Sequence, residues 1–387
     1  MSTRFLDKLN KRITILYLID FIATRDGVTG GTERQLLQLI QKIDKYKFRP
    51  IVACLQKFEN CSLWDNIECE KHILHVYSLL SVDGLQKLVR FARFMKKNRV
   101  DIIQTFYFDS TIYGIVAARL AGIKYTVSCR RDMGFWYNDA LQKKMKIINR
   151  FTKRVLVNSN AIKLFTIYKE KLQKEKIDTI YNGIDLNLVD QNVAIRPEVL
   201  FKNVTKEDRI VGIVGNFNRR VKRFDLFFRA AAKVLKKHRK IKFIVVGAGA
   251  LETELRNLVR DLRIDGDVIF VGKMDNAIPY IKCFDIGVLP SDSEGFPNVL
   301  LEYMACGVAA VATSVGGNVE LIDNRVSGLL VPKGDHAALA DAICELIKKT
   351  DLRKRLREKA RDVVADQFSW EKKVREYQSY YINLVQS

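Results

Sequence analysis

The chain has 387 residues, enough for two domains with a sizeable core in each. Hydrophobic residues make up 48% of it, which excludes a disordered protein. The net charge of +22 predicts an anionic partner: nucleic acid, an anionic membrane face or a phosphorylated substrate. A lysine-rich solvated surface is the alternative explanation.

Cysteine usage and hydropathy indicate the cellular compartment. The seven cysteines are odd in number and include no C-x-x-C pair, so we predict free thiols in a reducing environment. The apolar run ITILYLIDFIA is interrupted by Asp20, is too short to span a bilayer and lacks a small-residue cleavage site. We therefore expect a cytoplasmic protein that can still lie on the inner face of the cell membrane.

Short β-branched runs alternate with amphipathic segments along the chain, which predicts parallel α/β architecture. The helical segments include TERQLLQLIQKI and GLQKLVRFARFMKK. In chain order, the predicted strands of the first half are ITILYLI, PIVACL, HILHVY, DIIQTF, YTVSCR, RVLVNS and DTIYNG. Those of the second half are RIVGIVG, KFIVVG, VIFVG, DIGVLP, VAAVAT and GLLVP.

This pattern predicts two doubly wound Rossmann-like domains, at 1–190 and 209–367. A polar, irregular linker at 191–208 joins them, and helical sequence at 368–387 ends the chain. Two such domains predict a cleft between the carboxyl ends of their strands, with the chemistry in the loops that follow the strands.

The first such loop ends in Gly30 and Gly31. The helix entry that follows, from Thr32 to Gln35, has a capping-box pattern. Glycines at this position let backbone amides approach an anionic ligand closely. A tight turn between strand and helix is the alternative.

The loop after RIVGIV is strongly basic. It places Arg219, Arg220, Lys222 and Arg223 within five positions. Four cations at the carboxyl end of a strand would clamp a diphosphate by charge-assisted hydrogen bonds. A solvated run of charge is the alternative.

A glycine-rich turn follows the next predicted strand, KFIVVG. Gly247 and Gly249 begin a dinucleotide-like fingerprint, but Glu252 stands where the third glycine is needed. We therefore expect no nicotinamide or flavin cofactor, and a turn near a nucleotide base instead.

The segment PSDSEGFPNVLLEYMACG carries two carboxylates. Glu294 falls in the loop, Pro297 and Asn298 are typical of a helix start, and Glu302 lies one turn inside the helix. Both carboxylates could reach a ligand at that helix N-terminus, where they would accept hydrogen bonds from vicinal sugar hydroxyls. A glycosidase pair or a simple helix cap are the alternatives, and the phosphate-binding loops argue against the hydrolase.

Together these segments resemble the family 4 retaining glycosyltransferases, which have the two-domain GT-B fold. The resemblance covers most of the chain in the correct order. It includes GGTERQLL, VLVNSNAI, IYNGIDLNLV, GNFNRRVKRFDLF, VVGAGALETEL, SEGFPNVLLEYMACGVAAVATSVGGNVELI, SGLLVPKGD and FSWEKKVREY. The spacing of the two glutamates is its most specific part.

The resemblance implies a hexosyltransferase that moves a sugar from a nucleotide-diphosphate sugar to a glycan or lipid-linked acceptor. A UDP-sugar is favoured over a GDP-sugar, and the context is cell-surface polysaccharide or lipopolysaccharide biosynthesis. The reaction would retain the anomeric configuration. It would need no metal, because cationic side chains stabilise the departing diphosphate. The final helix would cross back to the N-terminal domain.

The same resemblance implies roles for individual residues. Glu294, Arg219 and Lys222 form the catalytic set: Glu294 contacts the donor sugar, while the two cations hold the phosphates. Glu302 holds the ribose hydroxyls. The remaining donor-binding residues are Gly30, Gly31, Arg220, Gly247, Gly295, Phe296, Pro297 and Asn298.

The chain departs from the family pattern after the strand YTVSCR. Many relatives have a histidine there, whereas this chain has Arg130, Arg131 and Asp132. We expect these residues in the cleft, orienting the acceptor or the donor. An Arg–Asp ion pair that fixes the loop is the alternative.

Asn216 stands where relatives often have an arginine, so the phosphate role falls to Arg219, alone or shared with Arg220. Asp265-Gly266-Asp267 spells D-x-D, but it precedes a strand and is interpreted as a turn, so no metal site is expected.

The segments KLVRFARFMKKNR and QKKMKIINRFTKR interleave cations with apolar residues. This pattern predicts docking on an anionic membrane surface, and ordinary core is the alternative. A basic nucleic-acid-binding protein is the non-enzymatic alternative, although the chain contains no recognised nucleic-acid module. The enzymatic alternatives are a sugar-nucleotide epimerase of the same fold and a glycogen-type transferase.

Overall fold

The computed structural model describes residues 12–22, 30–57, 62–134 and 137–387. It divides the chain into two compact units: Met1–Asn182 with Glu371–Ser387, and Gly183–Trp370. The stretch 191–208, expected as a linker, lies within the second unit. There the backbone N–H of Ile195 donates to the carbonyl oxygen of Pro279 at 3.0 Å.

The first unit contains a parallel sheet of seven strands in the order β3-β2-β1-β4-β5-β6-β7. The order reverses between β1 and β4, as in doubly wound folds. Each strand overlaps one predicted from the sequence, although β3 and β7 share only two residues with the predicted HILHVY and DTIYNG. Their bounds are β1 Ile13–Ile19, β2 Phe48–Cys54, β3 Glu70–Ile73, β4 Ile102–Thr105, β5 Tyr125–Arg130, β6 Arg154–Val157 and β7 Ile177–Thr179.

Helices connect these strands, and those with an apolar face bury it in the core; Leu88, Phe91 and Met95 of α3, for example, are buried. The helix α1 begins at Gly31 without a side-chain cap, so the predicted capping box at Thr32 is wrong. Thr32 is already inside the helix and cannot be its cap. The helices are α1 Gly31–Lys42, α2 Ser62–Asp65, α3 Val82–Lys97, α4 Phe108–Ala121, α5 Asp139–Phe151 and α6 Asn160–Glu170.

The second unit contains a parallel sheet of six strands in the order β10-β9-β8-β11-β12-β13. All six were predicted. Phe227 and Phe228 of the first long helix pack with Phe243 of β9 in its core. The strands are β8 Arg209–Val214, β9 Ile241–Val246, β10 Val268–Gly272, β11 Ile286–Leu289, β12 Ala309–Thr313 and β13 Leu329–Val331.

Nine α-helices are described in this unit, with a 3₁₀ turn at Arg220–Lys222 and a π-helical turn at Val364–Phe368. The α-helices are α7 Leu186–Gln191, α8 Pro197–Leu200, α9 Phe224–Lys237, α10 Glu252–Asp261, α11 Ile278–Ile281, α12 Asn298–Ala305, α13 Asn318–Leu321, α14 His336–Lys348 and α15 Thr350–Val363.

The last helix, α16 (Trp370–Gln386), belongs to the first unit from Glu371 onward. Tyr381 is fully buried there, and its hydroxyl donates to Gln104 Oε1 at 2.8 Å. The chain end therefore returns to the unit in which it began. The two parallel α/β units and this return confirm the predicted fold class. No helix in the described ranges is long and apolar enough to cross a bilayer.

Candidate active site

In the second unit, the basic loop after β8 lies against the loop after β11. The backbone N–H of Asp292 donates to the carbonyl oxygen of Val221 at 2.8 Å. Arg223 donates to both carboxylate oxygens of Asp292, at 3.0 and 3.1 Å. Because β8 and β11 are neighbours in a parallel sheet, their carboxyl ends bring the two loops together.

Arg223 braces this junction. Its backbone is left-handed, with φ of 50°, and it ends the 3₁₀ turn just before α9. Its guanidinium also donates to both oxygens of Asp225 at 3.0 Å. Both carboxylates raise the pKa of Arg223, and the hydrogen bonds that Arg223 donates to Asp225 contribute most. Of the four clustered cations, Arg223 is thus committed to holding the loop.

Glu294 is the acceptor around which this site is organised. Lys222 Nζ lies 2.7 Å from Glu294 Oε1, and Ser291 Oγ donates to the same oxygen at 2.6 Å. The glutamate is 8% exposed. Both donors contact Oε1, and no other donor within the described residues contacts Oε2. The second oxygen is therefore free to accept from a ligand.

Two glycines allow the Glu294 loop to lie close to the turn after β12. Gly316 has φ of 46°, and a Cβ there would lie 1.9 Å from the carbonyl oxygen of Glu294. The N–H of Gly317 donates to that oxygen at 3.1 Å. A side chain at Gly316 would displace Glu294.

Gly247 makes a similar close approach between the turns after β8 and β9. Its φ is 145°, and a Cβ there would lie 1.8 Å from the carbonyl oxygen of Gly215. Nearby, Asn218 Oδ1 accepts from the N–H of Ala250 at 3.0 Å. These contacts hold the basic loop from its other side.

The helix α12 begins at Asn298 with Pro297 as its N-cap, as predicted. Phe296, just before it, is buried against Phe368, with ring centroids 5.6 Å apart. Glu302 lies one turn inside this helix and is half-buried. The two glutamates of the motif thus flank the N-terminus of one short helix.

The two remaining cations of the basic loop differ in their surroundings. Arg219 is exposed where the 3₁₀ turn begins. Arg220 makes a bidentate ion pair with Glu254, at 2.6 and 2.8 Å, and both side chains are largely exposed. An exposed ion pair contributes little stability, so Arg220 can exchange this partner for a ligand.

In the first unit, Gly30 and Gly31 lie at the N-terminus of α1 beside a buried acid. Glu33 is 2% exposed, and Tyr107 OH donates to its Oε1 at 2.6 Å. Burial raises the pKa of Glu33, although the hydrogen bond from Tyr107 opposes the shift. A Cβ at Gly30 would lie 2.5 Å from Glu33 Oε2, so the glycine makes room for this carboxyl.

Arg130 forms a buried ion pair with Glu170 at the carboxyl end of β5. The contacts are 2.6 Å from Nε to Oε1 and 2.9 Å from Nη2 to Oε2. Asn149 also donates to Glu170. Burial is the largest single influence and would raise the pKa of Glu170, but the charge of Arg130 and the hydrogen bonds from Arg130, Asn149 and Tyr137 together outweigh it and lower the pKa.

Arg131 is held by neutral partners. It donates to Asn182 Oδ1 at 2.9 Å and to the Tyr377 hydroxyl at 3.0 Å, and it stacks over the Phe106 ring. The next residue, Asp132, accepts from the N–H of Gly134 at 2.7 Å. All three predicted residues line a cavity in the first unit. Its other lining residues are Tyr107, Phe108, Cys129, Gly134, Tyr137, Met145, Phe165, Thr166 and Glu170.

Comparison with known proteins agrees with this arrangement. Residues 29–188 match the family model described as Glycosyltransferase Family 4, and residues 208–349 match that described as Glycosyl transferases group 1. The crystal structure of Anabaena Alr3699/HepE in complex with UDP has a TM-score of 0.82 at 20% identity, covering 96% of this chain and all of that one.

The chain belongs to glycosyltransferase family 4 and has the GT-B fold.

Two curated relatives show what this family 4 glycosyltransferase is similar to. The N-acetyl-alpha-D-glucosaminyl L-malate synthase of Bacillus anthracis is 34% identical, over 54% of each chain. The UDP-Gal:alpha-D-GlcNAc-diphosphoundecaprenol alpha-1,3-galactosyltransferase of Escherichia coli is 25% identical over 92% of this chain and 94% of its own.

The predicted site residues of this family 4 glycosyltransferase fall into two groups. Lys222, Glu294 and Arg219 lie on the joined loops of the second unit, where Gly247 and the 295–298 segment also lie. Gly30 and Gly31 lie in the first unit, as do Arg130, Arg131 and Asp132 at the carboxyl end of β5. The sequence suggested an Arg–Asp ion pair in this loop as the alternative; the structure pairs Arg130 with Glu170.

Sequence reasoning missed Ser291, the Arg223–Asp292 pair and the turn at Gly316–Gly317. Ser291 and Asp292 belong to the polar run that follows the strand DIGVLP, and this run was the available signal. The buried Glu33 was also missed, because an acid in a first helical turn is ordinary at the surface.

Proposed function

We propose that this enzyme transfers a sugar from a UDP-sugar to a lipid-linked glycan acceptor in cell-surface polysaccharide or lipopolysaccharide biosynthesis, with retention and without a metal. The observation that carries the proposal is the Lys222–Glu294–Ser291 contact at the joined carboxyl ends of β8 and β11. The E. coli relative is named for a diphosphoundecaprenol acceptor, and HepE was crystallised with UDP; both support the choice of substrates.

In this proposal the donor lies along the N-terminal end of α12. Glu294 Oε2 accepts from a hydroxyl of the donor sugar, while Ser291 and Lys222 hold Oε1 and orient the carboxylate. Glu302 accepts from the ribose hydroxyls one turn further on. Vicinal hydroxyls suit a carboxylate because it offers two acceptor oxygens.

Catalysis in this proposal comes from the cations. Cleavage of the glycosidic bond develops negative charge on the departing diphosphate, and Arg219 and Lys222 stabilise it more in the transition state than in the ground state. Lys222 has three N–H donors, so its contact with Glu294 leaves others for a phosphate. A phosphate oxygen then takes the acceptor's proton during attack on the same face.

Substitution of the site residues tests the proposal. We expect Lys222→Ala to lower kcat on the order of 100-fold, since it removes a charge at the developing oxyanion. Glu294→Gln should also act mainly on kcat, whereas Glu302→Ala should chiefly weaken donor binding, about tenfold. Lys240→Ala, which removes an exposed cation paired with Glu207, is the matched control and should leave kcat and donor binding unchanged. Wild-type transfer by all three site variants would overturn the proposal.

The donor can be identified by thermal shift with UDP-, GDP- and ADP-sugars, because a ligand that binds the folded state raises Tm. We expect UDP-sugars to give the largest shift. Proton NMR of the product would show whether the anomeric configuration is retained, and assay in EDTA tests metal independence. Isomerisation of the UDP-sugar without acceptor would favour the epimerase instead.

We also propose that the protein is cytoplasmic and docks its first unit on an anionic membrane. The helix α3 exposes Val82, Leu85 and Val89, which share one face, and Arg90 and Arg93 are exposed beside them. Other apolar residues of the two basic segments are core: Leu88, Phe91, Met95, Met145 and Ile148 are buried.

Co-sedimentation with phosphatidylglycerol vesicles tests the docking proposal. Leu85→Asp should reduce binding at least tenfold, because it places a charge on the apolar face near anionic lipid. Val326→Asp, at a valine 42% exposed in the second unit, is the control and should bind as wild type does. Equal binding of both variants, or none by the wild type at low salt, would refute it.

A further inference from the structure

Tyr303 follows Glu302 on α12, but its side chain lies inside the fold. It is fully buried, and its ring centroid lies 6.3 Å from that of Phe284. The Tyr303 hydroxyl accepts from the backbone N–H of Val214 at 2.9 Å and donates to the carbonyl oxygen of Val288 at 3.4 Å. Val214 ends β8 and Val288 belongs to β11, so a single hydroxyl group bonds to both strands.

The direct pairing of β8 with β11 ends before it reaches this hydroxyl. Within these fully described strands, the pairing covers two positions in register: Ile286 with Val211, and Gly287 with Gly212. On the outer sides, the pairing of β8 with β9 continues to Val214, and that of β11 with β12 continues to Leu289. The Tyr303 hydroxyl therefore connects β8 and β11 beyond their own paired residues, at the ends that lead into the candidate site.

Two glycines leave room for the tyrosine ring to reach both strands. Gly212 and Gly287 lie opposite each other in register. A Cβ at Gly287 would lie 2.6 Å from the Tyr303 ring, and one at Gly212 would lie 2.1 Å from the Phe284 ring. Glycine weakens a strand interior and often marks a close approach by another group. This glycine pair thus indicates that the sheet accommodates the ring at this level.

The connected strand ends lead into the two halves of the candidate site. The loop after β8 contains Lys222, and the loop after β11 contains Glu294. Lys222 Nζ lies 2.7 Å from Glu294 Oε1. The separation of the strand ends sets where both loops start, and a misplacement of about 1 Å in a catalytic group can lower a rate about a hundredfold.

A role in packing alone explains the ring of Tyr303 but not the place of its hydroxyl. A phenyl ring would fill the same space beside Gly287. Neighbouring parallel strands ordinarily satisfy their backbone groups through their own ladder of hydrogen bonds. Here the hydroxyl takes the place of such a bond for the Val214 N–H, at the end of the sheet nearest the site.

We propose that Tyr303 is a positioning residue, whose hydroxyl holds the ends of β8 and β11 at the separation at which Lys222 and Glu294 meet. The inference deepens the proposed function, since it rests on these two residues acting on the donor. Because Tyr303 is fully buried, it acts through the strand ends. Glu302 keeps its place on α12 without this hydroxyl, so the effect falls on turnover rather than on donor binding.

Tyr303→Phe tests the inference, because it removes the hydroxyl and keeps the ring. We expect kcat, with the UDP-sugar that gives the largest thermal shift, to fall about tenfold or more, while the affinity for UDP measured by calorimetry stays within about threefold of wild type. Tyr381→Phe is the matched control, since it removes a buried, hydrogen-bonded hydroxyl from the first unit. It should lower stability by a similar amount and leave kcat unchanged.

A double-mutant cycle separates positioning from a general loss of stability. If Tyr303 acts through the contact between Lys222 and Glu294, then Tyr303→Phe should lower kcat little in a Lys222→Ala background, where that contact is already absent. Losses in kcat that add in the double variant would overturn the inference, because independent effects add.

A crystal structure of Tyr303→Phe measures the spacing without an activity assay. We expect Lys222 Nζ and Glu294 Oε1 to lie beyond hydrogen-bond distance, compared with 2.7 Å in the wild type. An unchanged contact or a wild-type kcat in this variant would overturn the inference, even where Lys222→Ala loses activity as proposed. A lost contact in a protein whose site variants all transfer sugar normally refutes the proposed function and leaves the spacing role of Tyr303 intact.

Discussion

At the scale of single residues, the surroundings of each charged group decide what it does. The basic loop after β8 has four cations in five positions, yet Arg223 holds Asp292, Arg220 holds Glu254 and Lys222 contacts Glu294. These neighbouring cations therefore have three different roles: Arg223 holds the loop, Arg220 forms an exposed ion pair, and Lys222 contacts the candidate site.

Asp20, at the end of β1, gives a pH prediction. Burial raises its pKa to about 7, although the hydrogen bonds from Ser110 oppose the shift. Because this pKa is raised on folding, the protonated acid is favoured in the folded state. The stability that protonated Asp20 contributes to the folded state is fully present below about pH 4 and is lost as pH rises through 7. The unfolding free energy of Asp20→Asn should therefore depend less on pH than that of the wild type.

Urea denaturation between pH 4 and pH 8 measures this effect. The unfolding free energy of the wild type should fall relative to Asp20→Asn by up to a few kcal/mol, on the order of 1.4 kcal/mol for each tenfold change in proton affinity. Asp341→Asn, at an exposed aspartate, is the control. Parallel pH profiles for wild type and Asp20→Asn would contradict the assignment.

At the scale of elements, the candidate site depends on how closely loops approach one another. The turn after β12 touches the Glu294 loop because Gly316 has no side chain. Parallel strand order places these turns side by side, but only the backbone conformation of the glycine lets them meet.

Gly316→Ala should lower transfer at least tenfold, because a Cβ would displace the carbonyl of Glu294 and move its carboxylate. Gly334→Ala is the matched control: it is also left-handed, with φ of 78°, but has open space around it. The control should cost about 1–2 kcal/mol of stability from strain alone and leave kcat unchanged. Equal activities in the two variants would show that the contact is unimportant.

At the scale of the whole molecule, the chain end completes the first unit. Tyr17, Tyr377 and Tyr381 form a buried aromatic cluster, and the Tyr381 hydroxyl reaches Gln104 on β4. A helix from the far end of the sequence thus contributes core to the first sheet.

Tyr381→Ala should destabilise the first unit by about 3–5 kcal/mol, the typical cost of truncating a buried aromatic residue. Tyr381→Phe should cost only about 1 kcal/mol, since it loses a hydrogen bond and keeps the ring. Denaturant unfolding of both, with the exposed Tyr168→Ala as control, measures this. If Tyr381→Ala lost no more unfolding free energy than Tyr168→Ala, the packing of Tyr381 in the core of the first unit would be contradicted.

The thirteen strands, the glutamate motif and the start of α12 at Asn298 could be predicted from the sequence alone, because each depends on local hydrophobic pattern and turn chemistry. The family resemblance was likewise carried by short, ordered motifs. These features require no knowledge of what packs against them.

Only the tertiary structure decided which charged side chains pair with one another within the fold. Arg130 pairs with Glu170, 40 residues away, and Arg223 with Asp292, 69 residues away. Strand order sets these partners, since it brings the carboxyl ends of distant strands to one edge of a sheet. The local sequence does not specify pairing between residues so far apart along the chain. Arg131, one position from the internally paired Arg130, instead donates to Asn182 and Tyr377, and this difference appears only after the chain is folded.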